Sequence, residues 1–324
     1  MSEMERLMRL RRTQQLRDLC EEVEFTTSHL IQPLFAVDGL QGSVPITGLS
    51  GNSRMDLETT VRQVGSDLEA GVRHFILFPV PAKKGKKKFD HGFTANVIAS
   101  LRKAHGAAFT LWVDTCLCSY TEHGHCCVFG EGSEIDLDAT LEELSRSAVA
   151  FAEAGADGIS PSDMMDGRVG AIREALDEAG FGITPIMSYS TKFASNFYGP
   201  FREAAASAPQ FGDRKAYQID PRNRTDAIRA SVRCAAEGAD LLMVKPGMTS
   251  IDLIAPIREL TERPVGAYQV SGEYAGLALL AEKGLTDFDR ALLETWYVFR
   301  RAGAQFIITY GARRAASIGI KVQR

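Results

Sequence analysis

Two lysines and a knot of cysteines are the residues of this sequence best suited to chemistry. Lys245 ends the run LLMVK (241–245), in which four apolar residues lead straight to the amine, and Pro246 and Gly247 follow it. An uninterrupted apolar run bounded by turn residues predicts a parallel strand covered on both faces, so Lys245 should emerge where the strand meets its loop. Burial disfavours the ammonium and leaves a nucleophilic neutral amine. Lys192 follows a second such stretch, ITPIMSYS (183–190). Two lysines on adjacent strand ends would repel if both were charged, which lowers the pKa of at least one and suits Schiff-base chemistry on a carbonyl substrate. The bland reading is a Lys245 that snorkels to water and a Lys192 that pairs with a carboxylate.

Cys116, Cys118, Cys126 and Cys127 crowd into DTCLCSYTEHGHCC (114–127), whereas Cys20 and Cys234 stand alone. Such crowding suggests metal, not disulfides, in a reducing compartment. Three thiolates hold a zinc ion and leave its fourth position open, as catalytic sites do; Cys127 or a histidine as fourth ligand would close it. His123 and His125 flank Gly124 and could ligate, orient a ligand or shape the turn. Reduced thiols without a metal fit the same spacing, because C-x-C is a weak motif by itself.

The elements that must position these groups repeat. Short apolar runs ending in polar residues occur at 30–37, 74–80, 109–115, 156–162, 183–190, 239–246, 264–272 and 305–311. Segments rich in Ala, Leu, Glu and Arg separate them, and most close on Gly as a helix C-cap. Eight alternations predict an α/β fold, a (β/α)8 TIM barrel with an extended N-terminal arm. An open doubly wound sheet is the alternative, but no GxGxxG follows the first run. Residues 1–28 read as an arm for oligomer contacts, since their amphipathic pattern cannot form a core alone. Residues 29–324 then form one catalytic barrel, with a lid at about 193–218.

Barrel active sites lie at the C-terminal strand ends. Strand three should present Asp114, Cys116 and Cys118, and strand four Ser162 and Asp163. Strand five should present Tyr189 and Lys192, strand six Lys245, strand seven Ser271 and strand eight Tyr310. The long segment after Lys192 carries Arg202 and Arg214, whose guanidinium groups suit a substrate carboxylate, although surface ion pairing is equally compatible with them.

With 324 residues, 45% of them hydrophobic, the chain has enough apolar material for a large core, which excludes disorder. The net charge of −4 gives no basic face for nucleic acid. The exception, KKGKKK (83–88), reads as a solvated mobile loop. No run reaches the ~20 apolar residues that span a bilayer, so a cytoplasmic protein without membrane partners is expected.

Beyond spacing, LIQPLFAVDG, VDTCLCSYTEHGHC, ISPSDMMDGRV, IMSYSTKFASNFYGPFREAA, FGDRKAYQ, EGADLLMVKPG and AYQVSGEYA follow one another as in the porphobilinogen synthase, or δ-aminolevulinic acid dehydratase, family, which the chain resembles over nearly its whole length. The resemblance implies condensation of two 5-aminolevulinate molecules to porphobilinogen, with loss of two waters, in tetrapyrrole and haem biosynthesis. It implies Schiff bases on Lys245 and Lys192, with the Lys245 adduct becoming the enamine nucleophile, and Asp114 as a proton shuttle or counter-charge. It implies catalytic Zn2+ on Cys116, Cys118 and Cys126, with Cys127 outside the pattern. Arg202, Arg214 and Gln218 would hold one substrate carboxylate and Ser271 and Tyr310 the other. Ser162, Asp163, Tyr198 and Phe201 would line the pocket.

The family's homo-octamer, in which each arm wraps a neighbouring barrel, is the implied assembly. Ala230 stands where members with a regulatory Mg2+ carry Glu, which disfavours that ion here, and Arg233 would supply the positive charge instead. Two other readings remain on the residues alone. A Schiff-base class I aldolase would leave the cysteines idle, and a catalytically silent metabolite-binding barrel would bind 5-aminolevulinate without forming a pyrrole.

Overall fold

The computed structural model describes residues 7–131 and 134–323. The first six residues of the expected arm and the last residue of the barrel segment lie outside them. Parallel strands β1 (Leu30–Val37), β2 (His74–Val80), β3 (Thr110–Thr115), β4 (Gly158–Pro161), β5 (Met187–Lys192), β6 (Leu241–Lys245), β7 (Val265–Tyr268) and β8 (Phe306–Ile308) form the central sheet. Their lateral order is β4-β3-β2-β1-β8-β7-β6-β5. A parallel bridge from Ile159 to Ile186, just before β5, joins the two ends. The sheet therefore closes into a (β/α)8 barrel, as the alternation of runs predicts, and the open sheet is excluded.

Packing explains the strand glycines. Trp112 is register partner to Gly158, where a Cβ would stand 2.3 Å from the indole, and Phe306 is partner to Gly266, where it would stand 2.2 Å from the ring. Each large ring takes the volume that its neighbour gives up. Helices on the outer layer begin at side-chain caps: Asp56, Asp136, Asn223 and Asp287 each accept from a backbone N–H three residues on.

Two boundaries differ from expectation. The seventh run ends as a strand at Tyr268, and Ser271 opens a helix, Ser271–Glu282. That helix is apolar around much of its circumference, so no 3.6-residue pattern marks it; Glu273, three residues after its cap, is the start signal that periodicity passes over. β8 is followed among the described residues only by a 3-10 turn, Ala312–Arg314. A second helix after β7, Phe288–Arg301, completes the outer layer.

Before the barrel, Leu7–Arg11 and Gln14–Leu19 are short helical turns, the second capped by Thr13. Leu7, Met8, Leu10 and Leu19 are 58%, 77%, 55% and 80% exposed. The chain enters the core only at Phe25, whose ring lies 5.7 Å from that of Trp296. No helix among the described residues is long and apolar enough to cross a membrane.

Candidate active site

Lys192 and Lys245 are register partners at the ends of β5 and β6. Both are buried, although lysine is among the residues least often found so. The Lys245 Nζ lies 4.3 Å from the ring centre of Tyr268, 4.9 Å from those of Tyr189 and Phe201, and 5.3 Å from that of Tyr198. Burial in this box, followed by the nearby charge of Lys192, pushes the Lys245 amine well below the ordinary lysine range. The Lys192 Nζ donates to the Ser162 carbonyl at the end of β4.

Asp114, from β3, faces both amines. Burial pushes its carboxyl up to about 6, while Lys192 and then Lys245 pull it back. A group of this kind can take or give a proton near neutral pH. Two lysine side chains and a carboxyl thus lie buried together at the strand ends, where the sequence places them.

The Sγ atoms of Cys116, Cys118 and Cys126 lie within 4.8 Å of one another, and those of Cys116 and Cys118 are 3.4 Å apart. Thiolates about 2.3 Å from one zinc ion stand roughly 3.8 Å from each other, so the spacing fits a tetrahedral metal. Burial pushes the Cys116 thiol up, whereas hydrogen bonds from Cys116 and Cys118, joined by the Arg214 charge, hold Cys126 well below the thiol range. The trio thus carries one thiolate readily, and a divalent cation would displace the remaining protons.

Cys127 is not in the trio; it is buried elsewhere, with its thiol pushed up to about 12 by that burial. The two histidines are not in it either. The His125 ring meets the Tyr217 hydroxyl at 3.0 Å through Nδ1 and the Phe211 carbonyl at 2.9 Å through Nε2, and the His123 Nδ1 accepts from the His125 N–H. They shape the turn and seat the segment above it.

That segment is the one expected to act as a lid. It opens with Asn196–Tyr198 and the helix Gly199–Ala204, then runs without regular structure over the cysteine loop. Gln210 donates to the His123 carbonyl (3.0 Å), and Arg214 donates to the carbonyls of Gly124 (2.8 Å) and Ser207. Tyr217 accepts from the Cys126 N–H at 3.5 Å. Lid and thiol loop therefore form one surface.

The basic loop exposes Lys83, Lys86, Lys87 and Lys88 to solvent, as its composition suggests, but it is anchored through Lys84 and Gly85. Gly85 exchanges backbone hydrogen bonds with Tyr120 and Glu122, and the Lys84 Nζ donates to the lid carbonyl of Ala206 at 2.7 Å. Charge composition reports solvation; it does not register the backbone pairing that holds this loop.

Gly124 is the tightest point of the seat. Its φ is +73°, and a Cβ there would stand 2.4 Å from the Ala208 carbonyl oxygen. Gly124→Ala should weaken lid seating by roughly 1–3 kcal/mol, from overpacking and the left-handed backbone. Limited proteolysis between residues 205 and 216 should then accelerate by about tenfold or more. An unchanged cleavage rate would show that the lid does not depend on this contact.

Arg202, Arg214 and Gln218, all in this segment, line one cavity. Nε of each arginine and both polar atoms of the Gln218 amide are buried without a protein partner. Together they suit an anionic, oxygen-rich ligand. On the opposite side Tyr310 shares a 3.0 Å hydrogen bond with the Tyr268 hydroxyl. Ser271 Oγ is engaged with the lid's first turn, accepting from the Phe201 N–H (3.0 Å) and donating to the Phe197 carbonyl (3.3 Å). The Tyr198 hydroxyl donates to the carbonyls of Phe193 (2.7 Å) and Lys245 (3.2 Å).

Asp163 has no exposed surface and faces Arg168, 3.7 Å away. Arg168, Tyr268 and Tyr217 were not legible as site residues. Arg168 sits in a helical stretch with an ordinary surface pattern. Tyr268 looks like one more apolar strand residue, and Tyr217 gains its meaning only from a contact across 91 residues.

Comparison with known proteins places these features in context. The profile of the family described as Delta-aminolevulinic acid dehydratase matches residues 4–318. The chain is 44% identical over 315 residues to the Delta-aminolevulinic acid dehydratase of Synechococcus elongatus, covering 95% of this chain and 96% of that one. It is 43% identical over 311 residues to the Escherichia coli protein of the same name, covering 95% of each. Among solved structures, the Toxoplasma gondii delta-aminolevulinic acid dehydratase (porphobilinogen synthase), in complex with the reaction product porphobilinogen, superposes with a TM-score of 0.93 at 42% identity. That alignment covers 97% of this chain and 91% of the other.

Proposed function

The chain belongs to the delta-aminolevulinic acid dehydratase family, and from that premise we propose that it joins two 5-aminolevulinate molecules into porphobilinogen through Schiff bases on Lys245 and Lys192. The observation that carries this reading is the register pairing of the two buried lysines beside Asp114.

The Lys245 amine, held neutral by burial, adds to the ketone of one substrate, and water leaves as the imine forms. Loss of a proton from the adjacent carbon gives an enamine, the carbon nucleophile of the condensation. Asp114 is positioned to carry that proton. The enamine carbon attacks the imine carbon of the second substrate on Lys192, whose amine is then expelled by elimination, while the amino group of the Lys192-held substrate adds to the Lys245 imine carbon and expels the Lys245 amine as the ring closes. Both lysines are regenerated, so the net change is the loss of two waters from two substrates. The four rings around Lys245 exclude bulk water from the imine.

Arg202, Arg214 and Gln218 would supply donors to one substrate carboxylate. Tyr310 and Ser271 would serve the other, Ser271 after exchanging its present bonds to the lid. Cys116, Cys118 and Cys126 would hold zinc, which when bound supplies Lewis-acid polarisation at an open coordination position. The exposed leucines and Met8 of the arm support contact with a neighbouring subunit in a homo-octamer, and a cytoplasmic location accords with reduced thiols.

The test is incubation with 5-aminolevulinate and a pyrrole assay, with and without a chelator. Pyrrole should form, fall by about 100-fold or more on chelation, and return with added zinc. No pyrrole with zinc supplied would sink the activity, and indifference to the chelator would sink the metal assignment.

A further inference from the structure

Glu273 is a buried carboxylate that this mechanism leaves unused. It is the third residue of the helix Ser271–Glu282, and its Oε2 accepts from the Val270 N–H at 2.9 Å, as a capping glutamate does. A cap needs no more than that. Yet the other oxygen leaves the helix and accepts from the Met248 N–H at 2.8 Å, in the turn that follows Lys245 and Pro246. The backbone of Gly247 and Thr249 lies near enough to favour the charged form of this carboxylate as well. One side chain therefore ties the loop after β6 to the loop after β7.

Both loops are packed too closely to drift independently. A Cβ on Gly247 would stand 2.9 Å from the Tyr268 carbonyl oxygen, and one on Gly272 would stand 2.7 Å from the Phe197 carbonyl oxygen. The Gly247 N–H donates to the Tyr268 carbonyl at 2.7 Å. The lid joins the same knot through Tyr198, which bonds the Lys245 carbonyl, and through Ser271, which bonds Phe197 and Phe201. The charge of Glu273 reaches Tyr198 as well, and after burial it is the next cause that lifts that phenol well above its ordinary value.

We propose that Glu273 is a positioning residue for the condensation, its carboxylate fixing the Lys245 turn against the Ser271 helix so that the amine meets the substrate held there. The inference rests on the assignment of Lys245 and Ser271 in the proposed function. Burial lifts the Glu273 carboxyl to about 7, and the Val270 and Met248 N–H groups pull it back toward the charged form, in which it offers only acceptors to those donors. Glutamine of the same shape would turn an NH2 group toward one set of them. Aspartate would keep the charge with a shorter reach.

The experiment is timed borohydride trapping with 5-aminolevulinate on wild type, Glu273→Gln and Glu273→Asp, with adducts at Lys245 and Lys192 quantified separately by mass spectrometry. Folding is followed by circular dichroism, and kcat and KM by pyrrole formation. In Glu273→Gln, trapping at Lys245 and kcat/KM should fall by about 10- to 100-fold, the range that loss of one or two charge-assisted hydrogen bonds spans. Trapping at Lys192 should hold, and Glu273→Asp should lie between glutamine and wild type.

A ratio of Lys245 to Lys192 adducts equal to that of wild type, with lowered thermal stability alone, would overturn the inference and leave Glu273 a helix cap. So would failure of both variants to fold, or an aspartate variant worse than the glutamine one. Absence of pyrrole and of any Lys245 adduct in wild type would instead refute the proposed function itself.

Discussion

Lys245→Met is expected to abolish pyrrole formation, by about 10,000-fold or more, and at the same time to leave a barrel at least as stable as the parent. The two halves of this expectation come from one observation. Four aromatic rings surround the Lys245 Nζ, an environment that suits a thioether better than an ammonium. The folded amine holds its proton less tightly than the unfolded one, chiefly because of burial and then because of Lys192.

The pH dependence follows from that shift. Between the depressed folded pKa and the unfolded value near 10.5, the unfolded chain binds more protons, so the lysine protein gains stability as pH rises through this window. Methionine has no such slope. The variant should therefore have the higher Tm near neutral pH, with the gap shrinking as pH approaches 10. Borohydride should still trap substrate on Lys192 in the variant. Pyrrole formation above about 1% of wild type would show that Lys245 is not the amine that makes the nucleophile.

Most of this site is readable in sequence because strand ends and barrel geometry are coupled. Counting the apolar runs gives the barrel; the barrel assigns Lys192, Lys245 and Asp114 to one face, and the register of β5 and β6 then sets the lysines opposite each other. The three thiols come from one loop, so their proximity needs little more than a turn. What sequence does not carry is the closure of long loops on one another. The contact of Lys84 with Ala206 and those of His125 with Phe211 and Tyr217 span 122, 86 and 92 residues. No periodicity encodes them.

The helix at Ser271 shows a different limit. Its apolar residues show little 3.6-residue period, so its length and the position of Glu273 are what mark it as a helix. The two roles of that glutamate, cap and clasp, are inseparable in sequence for the same reason. Asp163 is the converse case, a carboxylate legible at a strand end whose partner, the buried Arg168, is not.

That partner is the second residue whose loss should be severe. Arg168 is fully buried, and it donates to the carbonyls of Met165 (3.0 Å) and Tyr189 (3.2 Å) and to the Ser188 hydroxyl (3.3 Å) while facing Asp163. It joins the end of β4, where the Ser162 carbonyl meets Lys192, to the strand that carries Lys192 itself. Arg168→Met removes a buried cation and leaves Asp163 uncompensated, a loss of about 3–5 kcal/mol.

The sign with pH identifies the cause. Burial pushes the Asp163 carboxyl up to about 6, and Arg168 is the first group pulling it back. Between about 4 and 6 the native carboxyl binds more protons than the unfolded one, so its presence lowers stability as pH rises; above that window the carboxylate bears its full cost, offset by Arg168. Without the arginine the folded pKa climbs further, and the cost at alkaline pH grows. Urea unfolding should therefore show the full deficit near pH 8 and a clearly smaller one near pH 5, where Asp163 is protonated in the variant. Adding Asp163→Asn to Arg168→Met should recover much of the loss at pH 8 and little at pH 5. A deficit independent of pH would mean that Arg168 acts through its volume and its bonds to carbonyls, with Asp163 a bystander.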